Sequence, residues 1–390
     1  MVEKKLTVLQ MLPDLETGGV EQGTLELAGY LVNSSHKALV ISRGGRMVAD
    51  LEAQGATHIS LPYIGEKSPR ALFHLPFLRK LFLKADVVHL RSRVPAWVGF
   101  LAWKSLPEKK RPLLVTTFHG LYSINPYSAI MTKGERVIAV SEGIREHILG
   151  HYKVNPEHLV TIPRGAETRR FDPSLFPKED ILSMRRDFGC DEDTVLILLP
   201  GRFTRFKAQD LVLQALKTVS VPNWKLLLVG DEAENPDYAE ELRSLSESLG
   251  DRVLFTGYRK DIPALLAASD LVISSSRKPE SFGRILAEAA MMEKAVIASN
   301  HGGSLEIVQD METGLLFETE NAESLAEKMN FLMKDRELRD KMGKLARMRV
   351  LEKFTIRKMC ESTLKLYEEA LQEKERNRIK KRRPNPSASR

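Results

Sequence analysis

The sequence predicts an α/β protein with two parallel sheets, each covered on both faces by helices. Short runs rich in β-branched residues alternate with stretches of amphipathic helical periodicity. This alternation occurs twice, before and after a polar segment at 164–193 that is rich in proline and charge, as interdomain linkers are. The length of 390 residues fits two or three domains.

The predicted elements follow this alternation along the whole chain. Seven strands are predicted in the first half, at 6–12, 37–43, 57–62, 86–91, 113–119, 136–141 and 159–163. Six are predicted in the second half, at 194–201, 224–231, 253–258, 270–276, 295–300 and 313–317. Helices are predicted at 20–34, 141–152, 206–219, 238–250, 281–293 and 354–372, and Ser141 is predicted to cap the second of them.

The composition is that of an ordinary globular protein. Apolar residues make up 43% of the chain and charged residues 28%. No window approaches the roughly 18 uncharged apolar residues of a membrane span, and the first apolar run is too short for a signal peptide. Two cysteines, Cys190 and Cys360, are too few for a disulfide framework. We therefore expect a cytoplasmic protein.

The net charge of +7 is unevenly distributed. Residues 1–190 carry +7, residues 191–373 carry −7, and residues 374–390 carry +7. The basic first half, with an apolar and basic stretch at 71–84, could face anionic lipid or a phosphorylated acceptor. Undirected drift of surface charge and a plain core helix at 71–84 are the alternatives. Nucleic acid is not expected, because no nucleic-acid motif accompanies the charge.

Two loops that follow predicted strands have features of phosphate-binding sites. In the first, Gly18 and Gly19 open a helix, where backbone N–H groups and the helix N-terminus attract anions. In the second, Arg202 and Lys207 precede a helix and suit a diphosphate. A tight turn without a ligand and a solvated basic turn are the alternatives.

A third loop carries two glutamates. Glu280 precedes a helix predicted to begin near Phe282, and Glu288 lies on its second turn, about 10 Å further along the axis. That distance suits the sugar and the ribose of a nucleotide sugar, with the backbone N–H groups of Ser281 to Gly283 beside the diphosphate. Glu280 as a helix-dipole partner and Glu288 as a solvent residue are the alternatives.

Two further loops lie at predicted strand ends. His119 follows the strand at 113–119, a better position for function than that of the other eight histidines, although a structural role is the alternative. The loop 300–306 follows the strand at 295–300 and is expected to complete the wall of a ligand-binding cleft.

Together these loops resemble the retaining glycosyltransferases of family 4, whose GT-B fold has two facing Rossmann-like domains. The glycine loop, the Arg202–Lys207 pair and the stretch ESFGRILAE at 280–288 match the family's glycine loop, phosphate clamp and E-x7-E element. Stretches such as GGVEQGTLELA are most similar to bacterial lipopolysaccharide-core-type members. One departure is Ala208, where the family usually has glycine after the lysine.

The resemblance divides the chain into four parts. An acceptor-side domain occupies 1–167 and a nucleotide-sugar-binding domain 168–353, and a helix at 354–373 crosses back to the first domain. The remaining residues, 374–390, are predicted from their composition to form a disordered basic tail.

The resemblance also assigns roles to residues. Gly18, Gly19, Arg202 and Lys207 bind the donor diphosphate. The catalytic set is His119, Glu280, Arg202 and Lys207, with His119 and Glu280 at the donor sugar. The remaining donor contacts are Ser281, Phe282 and Gly283 at the sugar, Glu288 at the ribose, and Tyr258 and Arg259 at the base.

The implied activity is hexosyl transfer from a nucleotide-diphosphate sugar to a cell-envelope glycan or glycolipid, such as lipopolysaccharide core. A nucleotide-sugar epimerase or hydrolase without an acceptor is the alternative. No DxD motif falls in a suitable loop, so we expect catalysis without a metal or other cofactor, with Arg202 and Lys207 stabilising the leaving group. An enzyme at the inner face of the cytoplasmic membrane is expected.

Overall fold

The polypeptide forms two compact units, each built around one parallel sheet. The structure, a computed structural model, describes residues 5–16 and 18–382. The first unit comprises Met1–Pro163 and Arg357–Arg390, and the second comprises Arg164–Ile356. All thirteen strands that the sequence predicts are present, so the predicted α/β class with two parallel sheets is confirmed.

The strands of the first unit are β1 (Thr7–Met11), β2 (Lys37–Ser42), β3 (Thr57–Ser60), β4 (Val87–Leu90), β5 (Leu113–Phe118), β6 (Arg136–Ala139) and β7 (Leu159–Thr161). Those of the second unit are β8 (Val195–Pro200), β9 (Trp224–Val229), β10 (Val253–Phe255), β11 (Leu271–Ser274), β12 (Ala295–Ser299) and β13 (Leu315–Phe317). The sheet orders are β3-β2-β1-β4-β5-β6-β7 and β10-β9-β8-β11-β12-β13. Every pairing within them is parallel.

Consecutive strands are joined by crossover connections, as parallel pairing requires, and all of these except the one between β5 and β6 contain an α-helix. In chain order the helices are α1 (Gly19–Asn33), α2 (Val48–Ala53), α3 (Leu75–Phe82), α4 (Arg93–Lys104), α5 (Glu142–His151), α6 (Lys178–Asp187), α7 (Gln209–Leu216), α8 (Pro236–Ser246), α9 (Ile262–Ala268), α10 (Arg284–Met291), α11 (Ser304–Ile307), α12 (Ala322–Lys334), α13 (Arg336–Lys353) and α14 (Ile356–Arg382). The predicted cap of α5 is confirmed, since the Ser141 hydroxyl accepts a hydrogen bond from the Ile144 N–H.

The second sheet is buried on both faces. Along β8, Val195, Ile197 and Leu199 belong to one apolar core, and Leu196 and Leu198 belong to another. Because side chains alternate along a strand, two separate cores require helices on both sides of the sheet. This burial explains why the strands appear in the sequence as nearly continuous apolar runs.

Two predictions about irregular segments are wrong. The segment 164–193 is not a bare linker, because it contains α6, whose Arg185 is buried and bonds the carbonyl of Ala268 and the carboxylate of Asp270. The predicted disorder from residue 374 is also wrong as far as 382, because α14 continues to Arg382. Long-range contacts hold it there, including the bond from Lys374 Nζ to Glu135. The prediction for 383–390 lies outside the described residues.

Within the described part of the chain, no helix is both long and apolar enough to span a bilayer.

Candidate functional site

The loops that carry predicted site residues in the second unit gather at one edge of its sheet. β8, β11 and β12 are neighbours, and Lys207, Glu280 and the loop 300–306 follow them in turn. The carboxyl ends of parallel strands lie on the same side of a sheet, and ligands of such sheets bind there. The candidate site of the second unit is therefore the edge beyond these three strands.

An ion pair between Lys207 and Glu280 lies at the centre of this edge. Lys207 Nζ is 2.7 Å from Glu280 Oε1, and the two side chains are only 23% and 16% exposed. The Ser276 hydroxyl donates to the same carboxylate oxygen. Burial alone would raise the pKa of Glu280, but the Lys207 ammonium and the Ser276 hydroxyl outweigh it, so the pKa lies below its ordinary value. Glu280 is therefore a carboxylate at neutral pH.

A left-handed residue brings Lys207 to this position. Ala208 has φ +53° and precedes α7, although alanine disfavours this region. The Ser275 hydroxyl donates to the carbonyls of Lys207 and Ala208, at 2.8 and 3.1 Å. The predicted helix start at 206 is therefore too early, because α7 begins at Gln209.

The preceding turn is tied to the loop after β11. The Arg277 N–H donates to the carbonyl of Phe206, and its guanidinium donates to the carbonyl of Arg205 and to the carboxylate of Asp210. Asp210 also accepts a bond from the Tyr238 hydroxyl. This network fixes the backbone on which Arg202 and Lys207 lie.

Arg202 and Arg205, which flank this turn, are in different surroundings. Arg202 is exposed and has no acidic partner among residues 5–16 and 18–382, so its guanidinium is accessible to an anion. Arg205 is exposed as well but is bidentate to Glu241, so it is a surface charge that already has an acidic partner.

Glu280 lies on the loop before α10, as predicted, and Glu288 lies within that helix. Gly283, at φ +84°, precedes α10, which begins at Arg284 rather than near Phe282. Glu280 is consequently on the loop, and the predicted helical separation of about 10 Å from Glu288 does not apply. The backbone of Ser281 to Gly283 still leads directly into the N-terminus of α10.

Glu288 is not a solvent residue. Its side chain is 12% exposed and pairs with Arg284 at 2.7 Å. Burial raises its pKa, although Arg284 opposes the shift. A buried carboxylate of this kind can accept hydrogen bonds from a pair of hydroxyl groups.

Tyr258 and Arg259 follow β10, away from the centre of the edge. Tyr258 is 67% exposed, and Arg259 bonds both oxygens of Asp261. An exposed aromatic ring at this position could stack on a nucleobase.

The predicted residues of the first unit also lie at strand ends. Gly18 and Gly19 are exposed after β1, and α1 begins at Gly19. A Cβ at Gly19 would meet nothing within 4 Å, so the space beside its Cα is open. Thr17 lies outside the described residues. His119 directly follows β5, and its N–H donates to the Tyr122 hydroxyl at 3.3 Å.

Reasoning from the sequence missed Ser275, Ser276 and Arg277, which support the Lys207–Glu280 pair. The available signal was their position, because the run SSRKP at 275–279 lies between a buried strand and Glu280. No group of three or more His, Cys, Asp or Glu side chains suited to a metal ion occurs in the described ranges. Metal independence remains a prediction.

Comparison with known proteins gives two family models that together span most of the chain. The model of Glycosyltransferase Family 4 matches residues 17–170. The model of Glycosyl transferases group 1 matches residues 180–349.

Individual proteins are similar over nearly the same range. The crystal structure of a glycosyltransferase from Rickettsia africae ESF-5 is 34% identical, with a TM-score of 0.87, and the match covers 94% of this chain and 99% of that one. The N-acetyl-alpha-D-glucosaminyl L-malate synthase of Bacillus anthracis is 29% identical over 75% of this chain and 77% of that enzyme. WaaG, a glycosyltransferase involved in lipopolysaccharide biosynthesis, shares the fold at 18% identity, with a TM-score of 0.70 over 92% of this chain and 99% of that one.

Proposed function

Because this chain belongs to the family 4 glycosyltransferases, we propose that it transfers a hexose from a nucleotide-diphosphate sugar to a cell-envelope glycan or glycolipid, with retention of configuration. The observation that carries the donor half of this proposal is the buried Lys207–Glu280 pair beside the exposed Arg202. Two cations and one carboxylate at a strand edge suit a ligand with a diphosphate at one end and hydroxyl groups at the other.

The cations act on the leaving group. As the glycosidic bond to the diphosphate breaks, negative charge accumulates on the departing phosphate oxygen. Arg202 and Lys207 would neutralise that charge. An ammonium has three donors, so Lys207 can keep its bond to Glu280 while it contacts a phosphate. This arrangement supports leaving-group departure without a metal ion.

The carboxylates hold the donor. Glu280, with the backbone of Ser281, Phe282 and Gly283, would orient the sugar, and Glu288 would accept hydrogen bonds from the ribose. Tyr258 and Arg259 are proposed at the base, and His119 at the sugar. We assign no covalent nucleophile, and a same-face mechanism fits the retention expected from the family.

The proposed acceptor, unlike the donor, is not inferred from the contacts of particular side chains. Its support is the resemblance of the sequence to lipopolysaccharide-core-type members, together with the fold shared with WaaG. The Bacillus anthracis relative is an N-acetyl-alpha-D-glucosaminyl L-malate synthase, so family membership does not fix the acceptor. We propose a lipopolysaccharide-core or related surface-polysaccharide acceptor.

The segment 71–84 supports docking to an anionic membrane surface on the cytoplasmic side. Leu78 and Phe82 are buried in the core of the first unit, as the core-helix alternative requires. Other positions of the segment, however, expose Phe73 by 81% and Phe77 by 45%, and Lys80, three residues after Phe77 on α3, is exposed as well. An apolar and basic face of this kind suits the boundary of an anionic leaflet.

A thermal-shift panel tests the donor proposal. UDP-, GDP- and ADP-sugars are added to the full chain, and one class should raise the midpoint, because a donor at 100 times its Kd stabilises the folded state by about 2.7 kcal/mol. No shift with any of them would contradict the proposed donor site. Product analysis without acceptor then separates the two activities, since an epimerase or hydrolase converts the donor alone and a transferase does so slowly.

A further inference from the structure

His301 lies in the loop after β12, next to the loop that carries Glu280. The strands before these loops, β12 and β11, are adjacent and pair in parallel from Leu271 opposite Ala295 onward. His301 therefore belongs to the same edge of the sheet as the Lys207–Glu280 pair.

Two glycines hold the loop of His301 directly against the backbone around Glu280. The Gly303 N–H donates to the carbonyl of Glu280 at 2.8 Å. A Cβ at Gly302 would lie 2.7 Å from that carbonyl oxygen, and one at Gly303 would lie 2.2 Å from the carbonyl oxygen of Phe282. Any other residue would force the loops apart, so the position of His301 relative to Glu280 is built into the backbone.

His301 is partly exposed, but its two ring nitrogens are buried and their hydrogen-bonding capacity is not satisfied. Both Nδ1 and Nε2 are buried and lack a hydrogen-bond partner in the part of the chain that the structure describes. The Ser299 hydroxyl, two residues earlier, is in the same condition. Buried polar groups in native proteins nearly always have partners, so several such atoms at a candidate ligand site indicate that a polar ligand supplies them.

Charge and hydrogen-bonding capacity narrow the chemistry of that ligand. The neighbouring carboxylate of Glu280 accepts hydrogen bonds from hydroxyl groups. A neutral imidazole offers one donor and one acceptor, and a sugar hydroxyl can serve both. Phosphate oxygens, by contrast, can only accept.

We propose that His301 binds hydroxyl groups of the donor sugar beside Glu280 and helps to determine which hexose the enzyme accepts. This inference rests on the proposed donor site and adds a specificity-determining residue to it.

Binding measurements with and without the sugar test this role. Isothermal titration compares wild type and His301→Ala with UDP-glucose, UDP-galactose, GDP-mannose and ADP-glucose, and with UDP, GDP and ADP. For a sugar nucleotide that wild type binds, His301→Ala should weaken binding about tenfold, while the matching nucleoside diphosphate stays within about twofold. His301→Gln, which keeps a donor and an acceptor, should recover part of the loss. Leu305→Ala, at an exposed position of α11 directly after this loop, should leave the affinity for both ligands unchanged.

The possible outcomes separate this inference from the proposed function. If wild type binds none of the seven nucleotides, the donor site itself is wrong, and the inference is wrong with it. If wild type binds a sugar nucleotide and His301→Ala binds it equally well, only the inference is overturned. An equal loss for the sugar nucleotide and for the bare nucleoside diphosphate also overturns it. Should the alanine variant not fold, His301→Leu, of similar volume and without polar atoms, repeats the comparison.

Discussion

Removing the Lys207 ammonium is the most direct test of the leaving-group chemistry. In Lys207→Met the aliphatic stem stays and the charge 2.7 Å from Glu280 is lost. If Lys207 stabilises the departing diphosphate, the transition state should lose about 2–4 kcal/mol, as when one preorganised donor is removed from an oxyanion site. At 1.36 kcal/mol per factor of ten, kcat should fall by roughly 30- to 900-fold.

A structural cost must be separated from this catalytic loss. Loss of Lys207 leaves the Glu280 carboxylate largely buried without its cation, and breaking a buried pair costs about 3–5 kcal/mol. Partial exposure of both side chains places the expected loss of stability at or below the low end of that range. In the double variant Lys207→Met/Glu280→Gln, the buried charge is gone, so stability should recover while turnover stays low.

The assay is steady-state release of nucleoside diphosphate at saturating donor, with folding checked by circular dichroism and thermal unfolding. Arg202→Met should show a comparable fall in kcat. Arg205→Met is the matched control, because Arg205 lies in the same turn but pairs with Glu241, and its turnover should stay within about twofold of wild type. Turnover near the wild-type level in both the Lys207 and the Arg202 variants would refute the phosphate clamp.

Three further predictions concern metal, pH and lipid. Turnover should survive excess EDTA, and a loss restored by magnesium or manganese would contradict the proposed leaving-group chemistry. Burial places the pKa of His89 well below its ordinary value, so the unfolded chain takes up the proton first as the pH falls. The free energy of unfolding, measured in urea, should therefore fall by about 1 kcal/mol more between pH 6.5 and 5.5 in wild type than in His89→Gln, and equal falls would refute this. The protein should co-sediment with anionic but not neutral vesicles at low salt, less so after Phe73→Ser/Phe77→Ser; a wild type that stays in the supernatant would contradict membrane docking.

The strands could be predicted from the sequence because their burial on both faces requires runs of apolar residues. A strand covered on both faces, such as β8, is a run of apolar residues, and no other signal is needed to find it. Once the strands were predicted, the loops that carry the candidate site residues could be placed after them in order.

Helix starts and long-range contacts are not recorded in this way. Periodicity continues upstream of α7 and α10, but the left-handed residues Ala208 and Gly283 delay both starts. The composition of 374–382 does not show that Lys374 bonds Glu135. Disorder was therefore predicted for a basic segment that is helical in the structure. Such contacts join residues far apart in the chain, and one sequence does not reveal them.

The contacts that position Lys207 in the candidate site could not be predicted from the sequence either. Lys207 and Glu280 could be singled out one by one, but their pairing depends on the left-handed turn at Ala208, which disfavours alanine by about 1–2 kcal/mol. Ser275 and Arg277 hold that turn through carbonyls of the preceding loop. A turn that needs this support places Lys207 where its ammonium lies next to a buried carboxylate. Ser275 and Arg277 should therefore matter to the proposed phosphate binding although neither is proposed to contact the donor, and their loss should affect Lys207 before it affects the fold.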